Sequence, residues 1–320
     1  MIWFQSKKNE NVTERKRTSK KGVFGVWKRM VTILMAVLSV CMLSSCGKKE
    51  TGKADIDTDI EKNETLPEGM TEGVLYVDFI NVGKGDCAIL RFGNTTYMID
   101  TGYEETATDV LAFLEQKKIK KIDGMIITHF DKDHVGGATQ ILDKYEVGTI
   151  YMPDYEGEGN KYKKFKKYLN QNQLEDSVQK VTEDIQIEAE GVQIEIYAPH
   201  QDSYIEENDY SLITKIVNGE DSFLFAADAE EVRIEEMLGN PVLDADVLKV
   251  PYHGILGMNN IQFIDEVSPS YSIITSDKEE DVSTSIIYEL EQIGSAYYFN
   301  CNGNISCSSD GNGTILFEQN

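Results

Sequence analysis

The sequence predicts an α+β fold, with mixed β-sheets and helices packed outside them. The first observation behind this prediction is that short β-rich runs alternate with runs of helical periodicity. The second is that Gly or Asn turns separate several of the short runs. The third is size and composition: 320 residues, 41% of them hydrophobic and only 6 of them Pro, exclude a disulfide-knot miniprotein, a collagen-like repeat and a wholly disordered chain.

The predicted elements begin with an opening meander of three strands. These are 74–80, 86–92 and 95–99, followed by a buried strand at 122–128 with helices at 106–116 and 136–144 on either side of it. The second half opens with a hairpin, because Glu190-Gly191 separates two strand-like runs. Its elements are strands 185–189, 192–197, 211–217 and 222–226, a helix at 230–238, strands 246–250 and 271–275, a helix at 284–293, and closing strands between 296 and 317.

The first 45 residues differ in charge from the rest of the chain. They carry nine basic and two acidic side chains, a net +7, which leaves −31 for the remainder of a chain whose total is −24. The apolar run 30–43, which is 14 residues long, is too short for a membrane-spanning helix, which needs ~20 residues, but it suits a secretory signal. The run ends in Leu43-Ser44-Ser45-Cys46, which resembles the lipobox of bacterial lipoproteins, where the cysteine is lipidated and becomes the new N-terminus.

Three segments follow from this pattern. We expect a lipoprotein-type signal peptide over 1–45, a lipidated Cys46 with a flexible acidic linker over 46–72, and one folded domain over 73–320. The alternative is an uncleaved anchor helix. Both alternatives tether the domain to the membrane on its extracytoplasmic side. A charge of −31 opposes long-range attraction of DNA.

Candidate metal ligands concentrate in the ten residues from Thr128 to Gly137. Four of them fall within six positions: His129, Asp131, Asp133 and His134. A loop that leaves a strand end can direct alternate side chains into one pocket, and neutral imidazole with carboxylate suits a divalent metal. The alternative is a solvated turn. Two of the chain's four histidines lie here.

The motif His129-x-Asp131-x-Asp133-His134 resembles the metal signature of the metallo-β-lactamase superfamily, in the variant found in the hydrolase domain of ComEC-type competence proteins. The resemblance continues in order along nearly all of 73–320, and it implies a four-layer αββα sandwich with a metal site at one edge of the sheets. The further matching motifs are 79–86, 98–102, 208–212, 225–228, 248–254 and 303–311.

The resemblance also implies a set of metal ligands. A first metal would be held by His129 and Asp131, a second by Asp133, His134 and His253, and Asp228 would bridge the two. No histidine occupies the position of the first metal's third ligand, which leaves Asn208, Asp209 or water.

Further residues receive supporting roles from the same resemblance. Asp133 would also hold the attacking hydroxide, and Lys249 would steer an anionic substrate. Carboxylates that orient the ligands and loop amides are expected at Asp86, Asp100 and Asp209.

Several positions depart from the family pattern. Ala227 stands where Gly is usual, Tyr252 replaces the first His of His-His-Gly, Ile255 replaces a common Ser, and 277–285 contains no His. The resulting carboxylate-rich site accepts Mn²⁺ or Fe²⁺ as well as Zn²⁺. We therefore expect one or two divalent ions, with Zn²⁺ or Mn²⁺ foremost.

The predicted function is that of a membrane-anchored, competence-related metal-dependent hydrolase, in the first place a phosphodiesterase or nuclease-like enzyme with nucleic acid as a substrate. The alternatives are a hydrolase of a small ester, lactone or lactam, and a non-catalytic binding module. Lysines 161–167, interleaved with aromatic residues, either track a phosphate backbone or form a helix with a solvated face. Tyr252 either donates a proton or packs, and Cys301 and Cys307 either form a disulfide across a hairpin or remain free.

Overall fold

A computed structural model describes residues 66–320. The predicted signal peptide, Cys46 and most of the predicted linker therefore lie outside the described residues. Within 66–320, no helix is both long enough and apolar enough to cross a membrane. The first regular element begins at Leu75, close to the predicted start of the folded domain.

The first sheet contains eight strands and lies under the first four helices. In chain order its elements are β1 (Leu75–Phe79), β2 (Ala88–Phe92), β3 (Thr95–Ile99), α1 (Ala107–Gln116), β4 (Lys121–Ile126), α2 (Lys132–Val135), α3 (Ala138–Leu142), β5 (Glu146–Pro153), α4 (Asn160–Gln171) and β6 (Val178–Val181), with β14 (Ile305–Ser309) and β15 (Ile315–Gln319) added from the C-terminus. The strand order is β15-β14-β1-β2-β3-β4-β5-β6. Pairing is antiparallel from β15 to β3 and parallel from β3 to β6.

The second sheet contains seven strands and lies under three helices, and it too has an antiparallel part and a parallel part. Its elements are β7 (Ile185–Ala189), β8 (Val192–Tyr197), β9 (Ile213–Asn218), β10 (Asp221–Phe225), α5 (Glu231–Met237), β11 (Val247–Lys249), α6 (Asn260–Val267), β12 (Tyr271–Ile274), α7 (Thr284–Ile293) and β13 (Ala296–Phe299). The strand order is β13-β12-β11-β10-β9-β8-β7. Strands β10 to β13 are parallel, and β7 to β10 are antiparallel.

Three apolar clusters hold the layers together. One lies between the sheets and takes alternate residues of each strand, such as Val192, Ile194 and Ile196 of β8. A second packs the outer face of the first sheet against α1 to α4, and a third packs the outer face of the second sheet against α5 to α7. The predicted four-layer αββα sandwich, a single domain with helices outside the sheets, is confirmed.

The predicted boundaries agree with the structure for most elements, and the differences are local. The helix 284–293 and the hairpin 185–197 are confirmed. The helix predicted over 136–144 is the shorter α3, Ala138–Leu142, and a separate short helix, α2, precedes it across Gly136-Gly137. Prediction from the sequence missed β5, β6, α2 and α6.

The structure leaves no room for a side chain at Gly136 or Gly137. A Cβ on Gly136 would lie 2.7 Å from the Glu104 amide nitrogen and 2.9 Å from the Gly102 carbonyl oxygen. A Cβ on Gly137 would lie 2.5 Å from the Thr101 carbonyl oxygen. The two glycines therefore let the loop that carries the candidate ligands approach the 101–104 backbone closely.

Of the two alternatives for Cys301 and Cys307, the structure has free thiols and no hairpin between them. Cys301 lies in a short 3₁₀ turn, Asn300–Asn302, that leads from β13 in the second sheet to β14 in the first. Cys307 is buried in β14, opposite Val77 of β1 and Phe317 of β15. The strands that flank the turn belong to different sheets, and both thiols are free.

Candidate metal centre

The parallel strands of both sheets bring the predicted ligands to one edge of the sandwich. Asp100 follows β3, and the loop with His129 and His134 follows β4, in the first sheet. Asp228 follows β10 and His253 follows β11, in the second. Parallel strands have their carboxyl ends at the same edge, so each sheet delivers its polar residues to one place.

Four predicted ligands converge there and are all buried. Asp133, His134, Asp228 and His253 each offer one donor atom, and these atoms all lie within 4.8 Å of one another. Asp228 Oδ2 is central: it lies 2.8 Å from His253 Nε2 and 3.4 Å from His134 Nε2. Asp133 Oδ2 lies 3.6 Å from His253 Nε2. Imidazole and carboxylate from both sheets thus surround one small volume.

The ring of His129 joins this group from the same loop. Its centroid lies 4.1 Å from that of His134. The buried Nε2 atoms of His129, His134 and His253, together with Asp228 Oδ1, make no hydrogen bond within the described residues. An unsatisfied buried polar atom costs about 1–3 kcal/mol, so four together need a partner. A divalent cation meets that need, and the donor set fits one.

Each imidazole is oriented through its other nitrogen. His134 Nδ1 bonds Asp100 Oδ2 at 2.7 Å. His129 Nδ1 lies 3.1 Å from Thr128 Oγ1, which donates to Asp100. Because that hydroxyl proton is already used, His129 carries its own proton on Nδ1 and leaves Nε2 as a free acceptor.

His253 is oriented by an equivalent chain of hydrogen bonds on the second sheet. Its Nδ1 lies 3.0 Å from Thr275 Oγ1, which donates to Asp86 Oδ1 at 2.7 Å. Asp86 in turn contacts Lys249 at 2.5 Å. Such outer partners fix the ring and its tautomer for metal binding. Sequence reasoning missed Thr275 and the role of Thr128.

The electrostatics of the cluster favour a neutral His129, an anionic Asp228 and a protonated His134, whose proton a bound metal would displace from Nε2. Burial, with His134 nearby, holds the pKa of His129 well below its ordinary value, so this imidazole is neutral. Burial opposes the charge on Asp228, but His253, His134 and Lys249 outweigh it and lower the pKa of this carboxyl. Burial likewise opposes protonation of His134, but Asp228 and Asp100 outweigh it and raise the pKa of that imidazole. Asp228 is therefore an anion between imidazoles.

Comparison with known proteins agrees with this geometry. The family model described as the metallo-beta-lactamase superfamily matches residues 80–274, which include every residue of the cluster. The chain belongs to the metallo-beta-lactamase superfamily. The resemblance predicted from the motifs is therefore confirmed, and so is the fold that it implies.

Individual relatives place the chain more closely within the superfamily. It is 26% identical over 221 residues to "ComE operon protein 3" of Bacillus subtilis (strain 168), a match over 63% of this chain and 28% of that protein. It is 25% identical over 213 residues to "Competence protein ComA" of Neisseria gonorrhoeae, over 66% of this chain and 28% of that protein. A shorter match, 27% over 84 residues, is to "Endoribonuclease ysh1" of Schizosaccharomyces pombe, over 24% of this chain and 11% of that protein. The chain thus spans little more than a quarter of the competence proteins that it matches.

Lys249 has a different position from the one expected for a residue that steers substrate. Its side chain is 3% exposed, and Nζ contacts Asp86 Oδ2 at 2.5 Å, the Ala227 carbonyl at 2.9 Å and Asp228 Oδ1 at 3.5 Å. Burial opposes its charge, but Asp86 and Asp228 outweigh burial and raise the pKa of the ammonium. Lys249 therefore holds two carboxylates and a loop carbonyl in place inside the protein.

Two further predicted residues lie apart from the four-residue cluster. Asp131 is half-buried at the start of α2, and burial with the nearby Asp133 raises the pKa of its carboxyl. Asp209 is buried, and its Oδ1 accepts from the Arg233 amide at 3.0 Å, so it caps α5. Of the carboxylates expected to orient the ligands, Asp86 and Asp100 do contact them, whereas Asp209 supports a helix.

The lysine-rich segment forms α4, and most of its lysines form ion pairs with glutamates. Tyr162, Phe165 and Leu169 face the core. Lys161 and Lys164 both pair with Glu104, and Lys166 pairs with Glu156. Helix α4 packs against α2, so it lies beside the metal loop. Its lysines nevertheless form a solvated, acid-paired face, which weakens the interpretation as a nucleic-acid track.

Proposed function

We propose that the protein is a metal-dependent phosphodiesterase that acts outside the cytoplasmic membrane, to which a lipid on Cys46 anchors it. The observation that carries the hydrolase part is the convergence of three unbonded imidazole Nε2 atoms and Asp228 Oδ1 in one buried volume. The superfamily, whose members are typically metal-dependent hydrolases, supports the same reaction class.

The residues that would hold Zn²⁺ or Mn²⁺ are Asp133, His134, Asp228 and His253, with His129 beside them. When bound, such an ion lowers the pKa of water and polarises the oxygen at the scissile bond. Asp133 Oδ2 is placed to orient the attacking water, since it lies on the side of the buried cluster that faces the partly exposed Lys84, whose Nζ is 3.9 Å away. We call this side of the cluster the entrance. Asp100 and Thr275 keep the imidazole rings fixed during the reaction.

Phosphodiesters are the preferred substrates because of two separate considerations. One relative is named as an endoribonuclease, which is a phosphodiesterase by name. A cationic side chain, that of Lys84, stands at the entrance. One observation favours the alternative of a small neutral ester, lactone or lactam. Burial and the negative charges of Glu230, Asp228, Asp131 and Glu206 raise the pKa of Tyr252, so part of the entrance is acidic.

A substrate panel separates these alternatives. We expect the full chain, purified in detergent, to contain a divalent metal and to hydrolyse single-stranded DNA and a bis-aryl phosphodiester, but not a chromogenic lactam. Removal of the metal with a chelator should abolish hydrolysis, and Zn²⁺ or Mn²⁺ should restore it. Cleavage of the lactam alone would favour the alternative, and metal-free protein inactive on all three substrates would contradict both.

The anchor has its own test, because the sequence offers a matched control cysteine. Cys46→Ser should prevent incorporation of labelled fatty acid in bacterial cells and release the protein from the membrane fraction, since the lipid would be attached at that thiol. Cys41 lies in the preceding apolar run, and Cys41→Ser should incorporate as much labelled fatty acid as the unaltered protein. Equal labelling of both variants would rule out a lipid on Cys46.

A further inference from the structure

Lys84 reaches the metal cluster from the entrance. Its side chain is 36% exposed, in contrast with the buried Lys249. Within the described part of the chain, its nearest carboxylate oxygen is Asp133 Oδ2, at 3.9 Å, which is the outer limit of an ion pair. A partly exposed ammonium with one distant partner keeps its capacity to donate to an incoming anion. Lys84 is thus the lysine placed to meet a substrate, the role that the sequence assigned to Lys249.

The loop that carries Lys84 is held by side chains from distant parts of the chain. The Lys84 amide donates to Asp277 Oδ1 at 2.6 Å, and the Asn81 amide donates to Asn304 Oδ1 at 2.7 Å. The buried Asn300 donates from Nδ2 to the Gly83 carbonyl at 3.1 Å. These bonds fix the backbone at the entrance. The ammonium is therefore presented by a rigid loop, which reduces the entropy lost on binding.

An aromatic ring stands beside this ammonium. Lys84 Nζ lies 5.9 Å from the centroid of the half-buried Tyr252 ring. Tyr252, His253 and Gly254 have φ of 49°, 52° and 77°, a left-handed turn that points His253 into the cluster. The Tyr252 amide donates to the Ala227 carbonyl at 3.1 Å, which fixes the turn. The same backbone that supplies a metal ligand therefore holds Tyr252 in place next to Lys84.

We propose that Lys84 and Tyr252 form a nucleotide-binding subsite at the entrance: Lys84 binds a phosphate next to the scissile one, and Tyr252 stacks on the attached base. This assignment rests on the proposed phosphodiesterase function. It names single-stranded nucleic acid as the substrate class, because a single strand offers both an unshielded base and a neighbouring phosphate. A phosphodiester with only one phosphate, such as a bis-aryl ester, has no second phosphate for Lys84 to bind, so Lys84 would not increase its affinity.

The test measures equilibrium binding separately from hydrolysis. A fluorescein-labelled hexathymidylate with phosphorothioate linkages, which resist cleavage, is titrated with the full chain in detergent and Mn²⁺, and anisotropy gives Kd. We expect Lys84→Gln to raise Kd about tenfold. The slope of log K against log salt should fall in magnitude by ~0.7, the value for one lost phosphate contact on a single strand.

Tyr252 variants distinguish stacking from charge. Tyr252→Ala should raise Kd about tenfold without changing the salt slope, because stacking releases no counterions. Tyr252→Phe should bind as the unaltered protein does, because the ring is retained. The matched lysine control is Lys120→Gln: Lys120 is exposed just before β4, at the end of that strand opposite the metal loop, and its loss should change neither quantity.

The outcomes separate this assignment from the function on which it rests. Binding that Lys84→Gln and Tyr252→Ala weaken as expected, without hydrolysis of any phosphodiester, would reject the phosphodiesterase and keep the subsite. Hydrolysis of DNA with an unchanged Kd and salt slope in Lys84→Gln would reject the subsite and keep the phosphodiesterase. Neither binding nor hydrolysis by the unaltered protein would reject both.

Discussion

Asp228→Asn should lower phosphodiester hydrolysis by about 10³-fold or more and remove the bound metal. The carboxylate lies between His134 and His253, at 3.4 and 2.8 Å, and it is the anion on which both imidazoles converge. An amide of the same shape keeps the packing but removes the negative charge that a divalent ion needs. A 10³-fold loss corresponds to about 4 kcal/mol of transition-state stabilisation, which is reasonable for a residue that holds the ion directly.

Metal content and activity should be measured together for this variant. Elemental analysis after dialysis gives the metal content, and the bis-aryl phosphodiester gives kcat and KM. Asp265→Asn, at an exposed position of α6, is the control for the chemical change and should behave as the unaltered protein. Full metal content with full activity in Asp228→Asn would show that the cluster is not the metal centre.

Lys249→Met should destabilise the metal-free protein by about 3–5 kcal/mol. The substitution removes a buried ammonium that contacts Asp86 at 2.5 Å and Asp228 at 3.5 Å, and it leaves two carboxylates buried without their partner. Loss of one member of a buried ion pair has a cost of this size because the remaining charge is uncompensated. Bound metal would replace part of the lost positive charge, so the loss of unfolding free energy should be smaller when metal is present.

Urea unfolding with chelator and again with Mn²⁺ measures both parts of this effect. Lys215→Met is the comparison, because the Lys215 ammonium is partly buried but donates to two backbone carbonyls, of Val242 and Asp244, at 2.8 Å each. Its replacement should cost about 1–2 kcal/mol, with no dependence on metal. If the Lys249 variant lost no more stability than the Lys215 variant, or lost the same amount with and without metal, the two carboxylates would not depend on Lys249.

The sequence predicted the ligands better than the residues that orient them. The ligands could be identified because His and Asp are among the few residue types that bind metals, and because these residues follow strands in ordered motifs. They are His129, Asp133, His134, Asp228 and His253. Threonines at strand ends are common and carry no such signal. Thr275 meets His253 only through the parallel pairing of β11 and β12, which local patterns do not specify.

Lys249 shows a similar limit. Its place two residues before Pro251 is visible in the sequence, but the direction of its side chain depends on the strands on both sides of β11. In the structure those strands direct the ammonium inward to Asp86. Lys84 lies in a glycine-flanked loop without periodicity. Its exposure beside the metal cluster could therefore not be predicted from the sequence and is seen only in the structure.

At the level of the fold, periodicity identified most helices and strands, and the number of layers came from the family resemblance. The order of the strands in each sheet was not predicted. Strand β5 was missed because Gly148 and Pro153 interrupt its pattern, although both are accommodated in the sheet. Helix α6 has only eight residues and starts after Asn259 in a left-handed conformation, without a capping side chain. Tertiary packing, rather than local preference, stabilises such short elements.

The division of the ligands between the two sheets couples metal binding to folding. His129, Asp133 and His134 come from the first sheet, and Asp228 and His253 come from the second. Neither sheet alone supplies the whole set of ligands, so an ion bound there would link the two sheets. Its binding free energy is added to the cooperativity of the whole sandwich, by RT ln(1 + [M]/Kd) for free metal at concentration [M]. The supply of metal would then affect the stability of the domain as well as its activity.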